Sequence, residues 1–386
     1  MEIYPSMRFE QPALRQVSIK IAAVGGINLG QGVCRMPVPP VVLEAARQAI
    51  SSGENLYCPA SGIPALRQAI AKKLSAFNAA DYGAERVLVT PGSTGAFEAL
   101  CQAFLNRADH VVSFSPYYPY HHNAYLRKGV DVSYLELRPP HWEFDPEELG
   151  RLVREDTKFI LVNTPNNPTG KVFTRQELSA IAEICIKRQV LCVTDEVYEY
   201  MTYDGAAHLS IASLPGMLER CVTIGSYSKT FAITGWRVGY LAGPLQLVDA
   251  LTPFLDNIYV CAPTPLQHAV RKGIESLGDD FYAELREEYA RKRVLMQRAL
   301  DRAGLNPHTP QGAYYMLADI RGRFPGKSSE EVSDILIEKA KVGAVPASDF
   351  VGFEVKGNPV RSTFLRFCYA VPDDLLIATE KNLSAL

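Results

Sequence analysis

Four short stretches of the 386-residue chain carry residue types that could do chemistry together. Ser226-Tyr227-Ser228-Lys229 offers a primary amine, and Arg237 follows eight residues later. Asp195 closes an apolar run and precedes Tyr198 by three positions. Thr164-Pro165-Asn166-Asn167-Pro168-Thr169-Gly170 is dense in polar and turn-forming residues, and Pro91-Gly92-Ser93-Thr94-Gly95-Ala96 is a run of small ones. Each has an ordinary reading alone. A Gly/Ser/Thr run before a helix is commonly a cap, Asn, Pro and Gly make turns, an aspartate at a strand end caps or pairs, and a loop lysine is solvated.

Together they meet the demands of one cofactor, pyridoxal 5′-phosphate. That molecule needs a lysine for a Schiff base, an acid facing its ring nitrogen and an anion site for its phosphate. Lys229 is the amine, and a desolvated pocket with a cationic neighbour lowers its pKa in the required direction. Asp195 would hold the pyridinium proton. Tyr198 and Asn167 would donate hydrogen bonds to the ring's phenolate oxygen. Ser226, the Gly92-Ser93-Thr94 loop with its amides up to Gly95, and Arg237 would neutralise the phosphate.

The elements must bring these groups to one place. Short β-branched runs at Val87–Thr90, His110–Phe114, Asp131–Leu137, Phe159–Asn163, Leu191–Asp195, Cys221–Gly225 and Arg237–Ala242 read as seven strands. Helical patterns such as Gly95–Leu105, Tyr120–Arg127 and Arg175–Arg188 lie between them. This alternation predicts an α/β domain with a mostly parallel seven-stranded sheet covered on both faces. Ligands of such sheets bind outside the carboxyl ends of the strands, where all four stretches fall. An amphipathic segment, Asp279 to Ala303, stops at Gly304. Strands Gly312–Asp319 and Thr363–Tyr369 then flank one helix, Ser329–Lys341. The expected division is a large domain over 41–297 and a smaller α+β domain of 298–386 joined by residues 1–40.

Composition excludes several classes. The net charge is −2, with 47% hydrophobic and 21% charged residues and no block of like charge, so neither a nucleic-acid nor an anionic-membrane surface is expected. No apolar run reaches the ~18 residues of a membrane span, and the first residues lack the apolar core of a signal peptide. The eight cysteines are scattered without C-x-x-C spacing, which predicts free thiols in a cytoplasmic protein. His121 and His122 lack companion ligands and read as hydrogen-bonding residues, not as a metal site.

The run Ser226-Tyr227-Ser228-Lys229-Thr230-Phe231 through Thr234-Gly235-Trp236-Arg237-Val238-Gly239 resembles the lysine signature of class I/II aminotransferases. So do Asn163 to Gly170 and Asp195-Glu196-Val197-Tyr198, with Asn28-Leu29-Gly30-Gln31-Gly32 and Leu365-Arg366-Phe367 near the two ends. The resemblance spans nearly the whole chain. It implies a fold-type-I homodimer with shared active sites, moving an amino group between an L-amino acid and a 2-oxo acid by a ping-pong mechanism. By the same resemblance Tyr118 stacks on the cofactor ring and Tyr57 reaches the neighbouring subunit's phosphate. Arg366 clamps the substrate α-carboxylate, alongside Asn167, and Gly32 lets the backbone approach it. Lys229 then serves as general base and acid.

The stretch Leu191–Gly243 is most similar to kynurenine, glutamine and methionine/aromatic transaminases, whereas Ser93-Thr94 and Asn166 with Thr169 are more like aspartate- and alanine-type enzymes. No arginine lies in Asp256–Pro265, where some dicarboxylate-specific relatives carry a side-chain clamp, which disfavours strict aspartate specificity. Tyr117, Tyr118, Tyr120, Tyr4 and Phe9 form either an aromatic pocket or ordinary packing. A β-lyase acting on cysteine S-conjugates, or a specialised biosynthetic enzyme, is the alternative on the same cofactor. A transcription regulator with an aminotransferase-like sensor would need a DNA-binding module before the fold, and only ~20–40 residues precede it.

Overall fold

The computed structural model describes residues 13–351 and 362–386. In chain order its strands are β1 (Ile27–Asn28), β2 (Val87–Thr90), β3 (His110–Ser115), β4 (Asp131–Glu136), β5 (Thr157–Asn163), β6 (Leu191–Asp195) and β7 (Cys221–Ser226). Then follow β8 (Gly239–Ala242), β9 (Asn306–His308), β10 (Tyr315–Asp319), β11 (Val342–Gly343), β12 (Val345–Pro346) and β13 (Phe364–Cys368). The expected seven-stranded sheet forms in the order β2-β8-β7-β6-β5-β3-β4.

Alternation along the strands supplies two cores. On β5, Phe159 and Leu161 join one apolar cluster with Leu88, Val193 and Val222, while Ile160 and Val162 join another with Val87 and Cys192. Successive side chains point to opposite faces, so helices cover both. Gly92–Phe104, Pro119–Lys128 and Leu245–Tyr259 contribute to the first cluster, and Pro64–Asn78, Arg175–Arg188 and Thr264–Ser276 to the second.

One strand departs from the parallel rule, and the site depends on it. β8 runs antiparallel to both β2 and β7, with Gly239 opposite Thr90 and Ser226. Its amino end therefore meets the carboxyl ends of its neighbours. The expected strand Arg237–Ala242 is two residues too long at its start. Arg237 adopts φ 57°, a left-handed conformation unusual for a residue with a Cβ, and it turns the chain before pairing begins at Gly239.

The helix expected from Gly95 begins at Gly92, so Ser93, Thr94 and Gly95 lie in its first turn rather than in a loop. A third cluster lies around the four-stranded sheet β12-β13-β10-β9 and the helices Asp279–Arg302 and Asp373–Leu383. It also takes in Val197, Tyr198 and Met201, from just beyond β6. The helix expected over Ser329–Lys341 is α-helical to Ile335 and continues as a π turn over Leu336–Ala340. Near the amino end, helix Ala13–Ala23 precedes β1, which pairs in parallel with β11; this short strand and its partner carry no strong periodic signal.

Gly239 is where the antiparallel strand touches the start of helix Gly92–Phe104. A Cβ there would lie 2.6 Å from Gly92 C and from Ser93 N, and neither backbone atom has room to yield. Gly239→Ala is expected to lower stability by about 1–3 kcal/mol, the cost of overpacking, and to weaken cofactor retention as Ser93 is displaced. Thermal unfolding with and without cofactor checks both effects.

Candidate active site

Ser226 ends β7, and its hydroxyl accepts the Ser228 N–H at 3.1 Å, capping the single helical turn Tyr227–Thr230. That turn projects Lys229 into a cavity of about 430 Å³, within the range of small-molecule sites. Lys229 Nζ donates to the Gly32 carbonyl at 2.9 Å and lies 5.6 Å from the Tyr314 ring centroid. Burial lowers its pKa from the usual 10.5 to about 8; the thiols Cys368 and Cys34 oppose the shift, and Arg237 and Arg366 add to it. A lysine tuned this way carries a substantial neutral fraction near physiological pH.

Asp195 sits at the end of β6 and is held from several sides. His121 Nε2 lies 3.0 Å from Oδ2, an interaction in which the imidazole donates to the carboxylate. Val197 N–H reaches Oδ1 at 3.3 Å, and Asn163 Nδ2 donates to the Asp195 carbonyl at 3.0 Å. His121 is buried, packs against Phe97 at 4.4 Å and meets Tyr118 edge-on at 5.2 Å. Its neighbour His122 bonds Tyr134 instead.

The phosphate end follows from the antiparallel strand. Arg237 Nη1 donates to Thr234 O at 2.8 Å and Nη2 to Pro91 O at 3.3 Å. Its guanidinium lies over Gly92, where a Cβ would come within 2.2 Å of Nη2. Helix Gly92–Phe104 has no side-chain cap at its amino end, and Ser93 and Thr94 line the cavity there. Free amides at a helix start, two hydroxyls and a guanidinium make an anion site.

Arg366, on β13, is 2% exposed. Its Nη1 donates to Asn167 Oδ1 at 2.9 Å and its Nη2 to Gly30 O at 2.6 Å. The guanidinium lies between the rings of Tyr315 and Phe350, 4.2 Å and 4.6 Å from their centroids, and Nε is buried without a partner among the described residues. Asn167 N–H is fixed by Asn163 Oδ1 at 2.8 Å. Tyr198 and Tyr315 hydroxyls are 3.0 Å apart. Burial raises the Tyr198 pKa well above its usual value, so the phenol stays a proton donor. Gly32 lies under Tyr315, whose Oη would be 2.0 Å from a Cβ at that position.

Of the residues singled out in the sequence, Gly32, Ser93, Thr94, Tyr118, Asn167, Asp195, Tyr198, Lys229, Arg237 and Arg366 line this one cavity. Gly92 supports Arg237 from behind. Ser226 is not in the lining: its hydroxyl lies 2.8 Å from Ser228 Oγ and 3.1 Å from Val238 O, and Ser228 takes the place at the wall. Tyr57 is 83% exposed and outside the cavity. Tyr118 and Tyr120 stack at 5.1 Å and both line it, whereas Tyr117 packs against Tyr134 away from it; Tyr4 and Phe9 lie outside the described residues.

Sequence reasoning left His121 without a partner and missed Asn163, Tyr315 and Arg15 as lining or supporting residues. Asn163 ends β5, one of the strands whose carboxyl ends form the crevice, so the same rule that found Asp195 could have found it, whereas His121 lies within helix Pro119–Lys128 and carries no such signal. Behind Asp195, Glu196 and Glu199 lie near His208. Their oxygens are taken by Lys73, Asn78, Thr194, Ser210 and His208, making a buried ion-pair network.

The residues fit pyridoxal phosphate on observations of the structure itself: a desolvated amine, an acid backed by an imidazole, an uncapped helix start beside a guanidinium, and an orphaned Arg366 Nε. The family profile "Aminotransferase class I and II" matches residues 24–378. The human kynurenine–oxoglutarate transaminase 3 is 35% identical over 386 residues, covering 93% of this chain and 84% of the relative. An aspartate aminotransferase of Pyrococcus abyssi is 35% identical over 328 residues, covering 84% of each. Among solved structures, N-succinyldiaminopimelate aminotransferase from Mycobacterium tuberculosis superposes with a TM-score of 0.94 at 32% identity, covering 99% of each chain. The chain belongs to the class I and II aminotransferases, with the fold-type-I architecture. It is a pyridoxal-phosphate-dependent transaminase, transferring an amino group between an amino acid and an oxo acid.

The depressed lysine has a cost that can be measured before cofactor is added. Below its folded pKa of about 8 the chain must carry a buried ammonium, and the penalty disappears as pH rises past the unfolded value of 10.5. Cofactor-free Lys229→Met is therefore expected to be more stable than the parent at pH 7 by on the order of 2 kcal/mol. Denaturant titrations in parallel at pH 7 and above about 10.5 should show that advantage shrinking towards zero.

Proposed function

We propose that the cavity performs both half-reactions of transamination in alternation, with Lys229 as the group that holds the cofactor and then moves the proton. The observation that carries this is the convergence of the Lys229 amine, the Asp195–His121 pair and the Arg366 fork on one cavity. When bound, pyridoxal phosphate supplies an aldehyde for the lysine and a ring that accepts the electrons released when a substrate Cα loses its proton.

The chain's own groups do the rest. Asp195, oriented by His121 and Asn163, keeps a proton on the ring nitrogen. Tyr198 and Asn167 donate to the ring oxygen. Ser93, Thr94, the helix amides and Arg237 hold the phosphate, with Ser226 and Gly92 bracing Ser228 and Arg237. Tyr118, which lines the cavity, would pack against the ring. Arg366 meets the α-carboxylate through its fork, which fixes the Cα–H for abstraction. Gly32 leaves room for the carboxylate, and its carbonyl, already bonded to Lys229 and Tyr314, steers the amine once it is free.

Two finer points belong to the same reading. Leu56 and Tyr57, 79% and 83% exposed, suit an interface in a homodimer with Tyr57 reaching the neighbouring site. The eight free cysteines suit a reducing cytoplasm, and no helix among the described residues is long and apolar enough to cross a membrane. The same reading takes residues 41–297 as one unit and the described parts of 1–40 and 298–386 as the other, with substrate held between them.

Borohydride reduction of the loaded enzyme should label Lys229 alone, and label on another lysine would overturn the assignment. Asp195→Asn should retain cofactor while turnover falls by ~10²–10³, a typical effect of one preorganised electrostatic group. Arg366→Lys should lower kcat/KM for all amino donors by similar factors in a folded protein, since lysine keeps the charge but loses the fork. Loss confined to one side-chain class would move Arg366 to side-chain recognition.

A further inference from the structure

Five charged side chains line the cavity: Arg15, Asp195, Lys229, Arg237 and Arg366. Four have work in the reading above. Asp195 faces the ring nitrogen, Lys229 the aldehyde carbon, Arg237 the phosphate and Arg366 the α-carboxylate. Arg15 remains. It is exposed and has no ion pair or hydrogen bond among the described residues. The wall therefore runs from a buried guanidinium to a second one at its solvent side.

The backbone that carries Arg15 is also anchored. Arg15 lies in the first turn of helix Ala13–Ala23, and that turn is tied down by the Ala13 N–H, which donates to Asp349 Oδ2 at 3.0 Å. Val17, on the same helix, is buried against Ile21 and Ile337. Phe350, next to Asp349, stacks on Arg366. The backbone turn that carries Arg15 and the guanidinium of Arg366 are thus held by adjacent residues of one segment.

We propose that Arg15 receives the second carboxylate of a dicarboxylic amino acid or 2-oxo acid whose α-carboxylate is held by Arg366. The inference rests on the aminotransferase reading of the cavity and adds the substrate class. An arginine that lines a cavity already supplied with cations for phosphate and α-carboxylate, and that has no partner among the described residues, is matched by one further anionic group, and a carboxylate meets the fork through two hydrogen bonds. The absence of arginine from Asp256–Pro265 then has a different meaning: the side-chain cation comes from the amino-terminal helix. The competing role for an exposed arginine is long-range attraction of any anion, which is screened by salt.

The test compares near-isosteric pairs that differ only in charge. The amino-donor half-reaction of cofactor-loaded parent and Arg15→Gln is followed with glutamate against glutamine and aspartate against asparagine. The expected result is a loss of kcat/KM of about 10- to 100-fold for the acid of at least one pair, with its amide changed less than about threefold. Acid and amide falling together, neither falling, or a loss that vanishes in about 0.5 M salt, would each overturn the proposal. A binding measurement decides the matter without turnover. Glutarate, carrying two carboxylates and no amine, should bind the loaded parent at least about tenfold more tightly than pentanoate, by titration of the cofactor absorbance. Arg15→Gln should bring the two ligands together, and equal affinities in the parent would overturn the proposal. If the parent turned over no amino acid at all, the aminotransferase reading would fail by itself, and the glutarate comparison would still decide whether Arg15 binds a carboxylate.

Discussion

An amine set against a carbonyl, with no carboxylate among the described residues to pair it, governs this active site. Had Lys229 met Asp195 directly, the ion pair would have raised the lysine pKa and removed its neutral form. The fold prevents this by giving Asp195 other partners, His121 Nε2 and the Val197 N–H, and by offering Lys229 only the Gly32 carbonyl among hydrogen-bond acceptors of the described residues. Desolvation then acts without opposition from a nearby acid. Acidic charge close to Asp195 is present, on Glu196 and Glu199, yet it is consumed within a buried network containing Lys73 and His208. Two neighbouring clusters, one in which the acids are paired and one in which the amine meets only a carbonyl, are kept apart by the end of a single strand.

The second constraint is directional. Parallel strands deliver their carboxyl ends to one edge, and a residue returning on the next parallel strand would arrive at the opposite edge. Arg237 escapes this because β8 is antiparallel, and its positive φ turns the side chain back towards Pro91 and Thr234. The glycines at 92 and 239 are the space this reversal needs: one admits the guanidinium and the other the backbone of Ser93. Geometry here is set by backbone chirality and close contact more than by side-chain chemistry.

Much of this was legible in the residues. Strand alternation over 87–242 carries the period of buried β structure, so all seven strands of the large sheet are found with errors of one or two residues at their ends. The residues that line the cavity were legible because strand ends converge in any open α/β sheet. What could not be read is what depends on packing between distant segments. His121 becomes Asp195's partner only once two helices and a strand are in place. Tyr315 approaches Tyr198 across the boundary between the two sheets. Short strands such as β1, β11 and β12, two residues each, leave no periodic trace. The start of β8 was misplaced because nothing local in Thr234 to Val238 announces a left-handed arginine.

The position of Arg366 has a consequence for the order in which this chain matures during synthesis. β13 occupies an interior place in its four-stranded sheet, between β12 and β10, and Arg366 from it closes back on Gly30 near the amino end. A chain emerging from the ribosome amino end first exposes the whole seven-stranded sheet, with Lys229, Asp195 and Arg237, long before β13 exists. Non-local pairings of this kind are the slow steps of folding, and domains form as units while synthesis proceeds. The wall of the cavity that carries Lys229, Asp195 and Arg237 is thus synthesised well before Arg366, which arrives only when β13 slides between two strands that are already waiting.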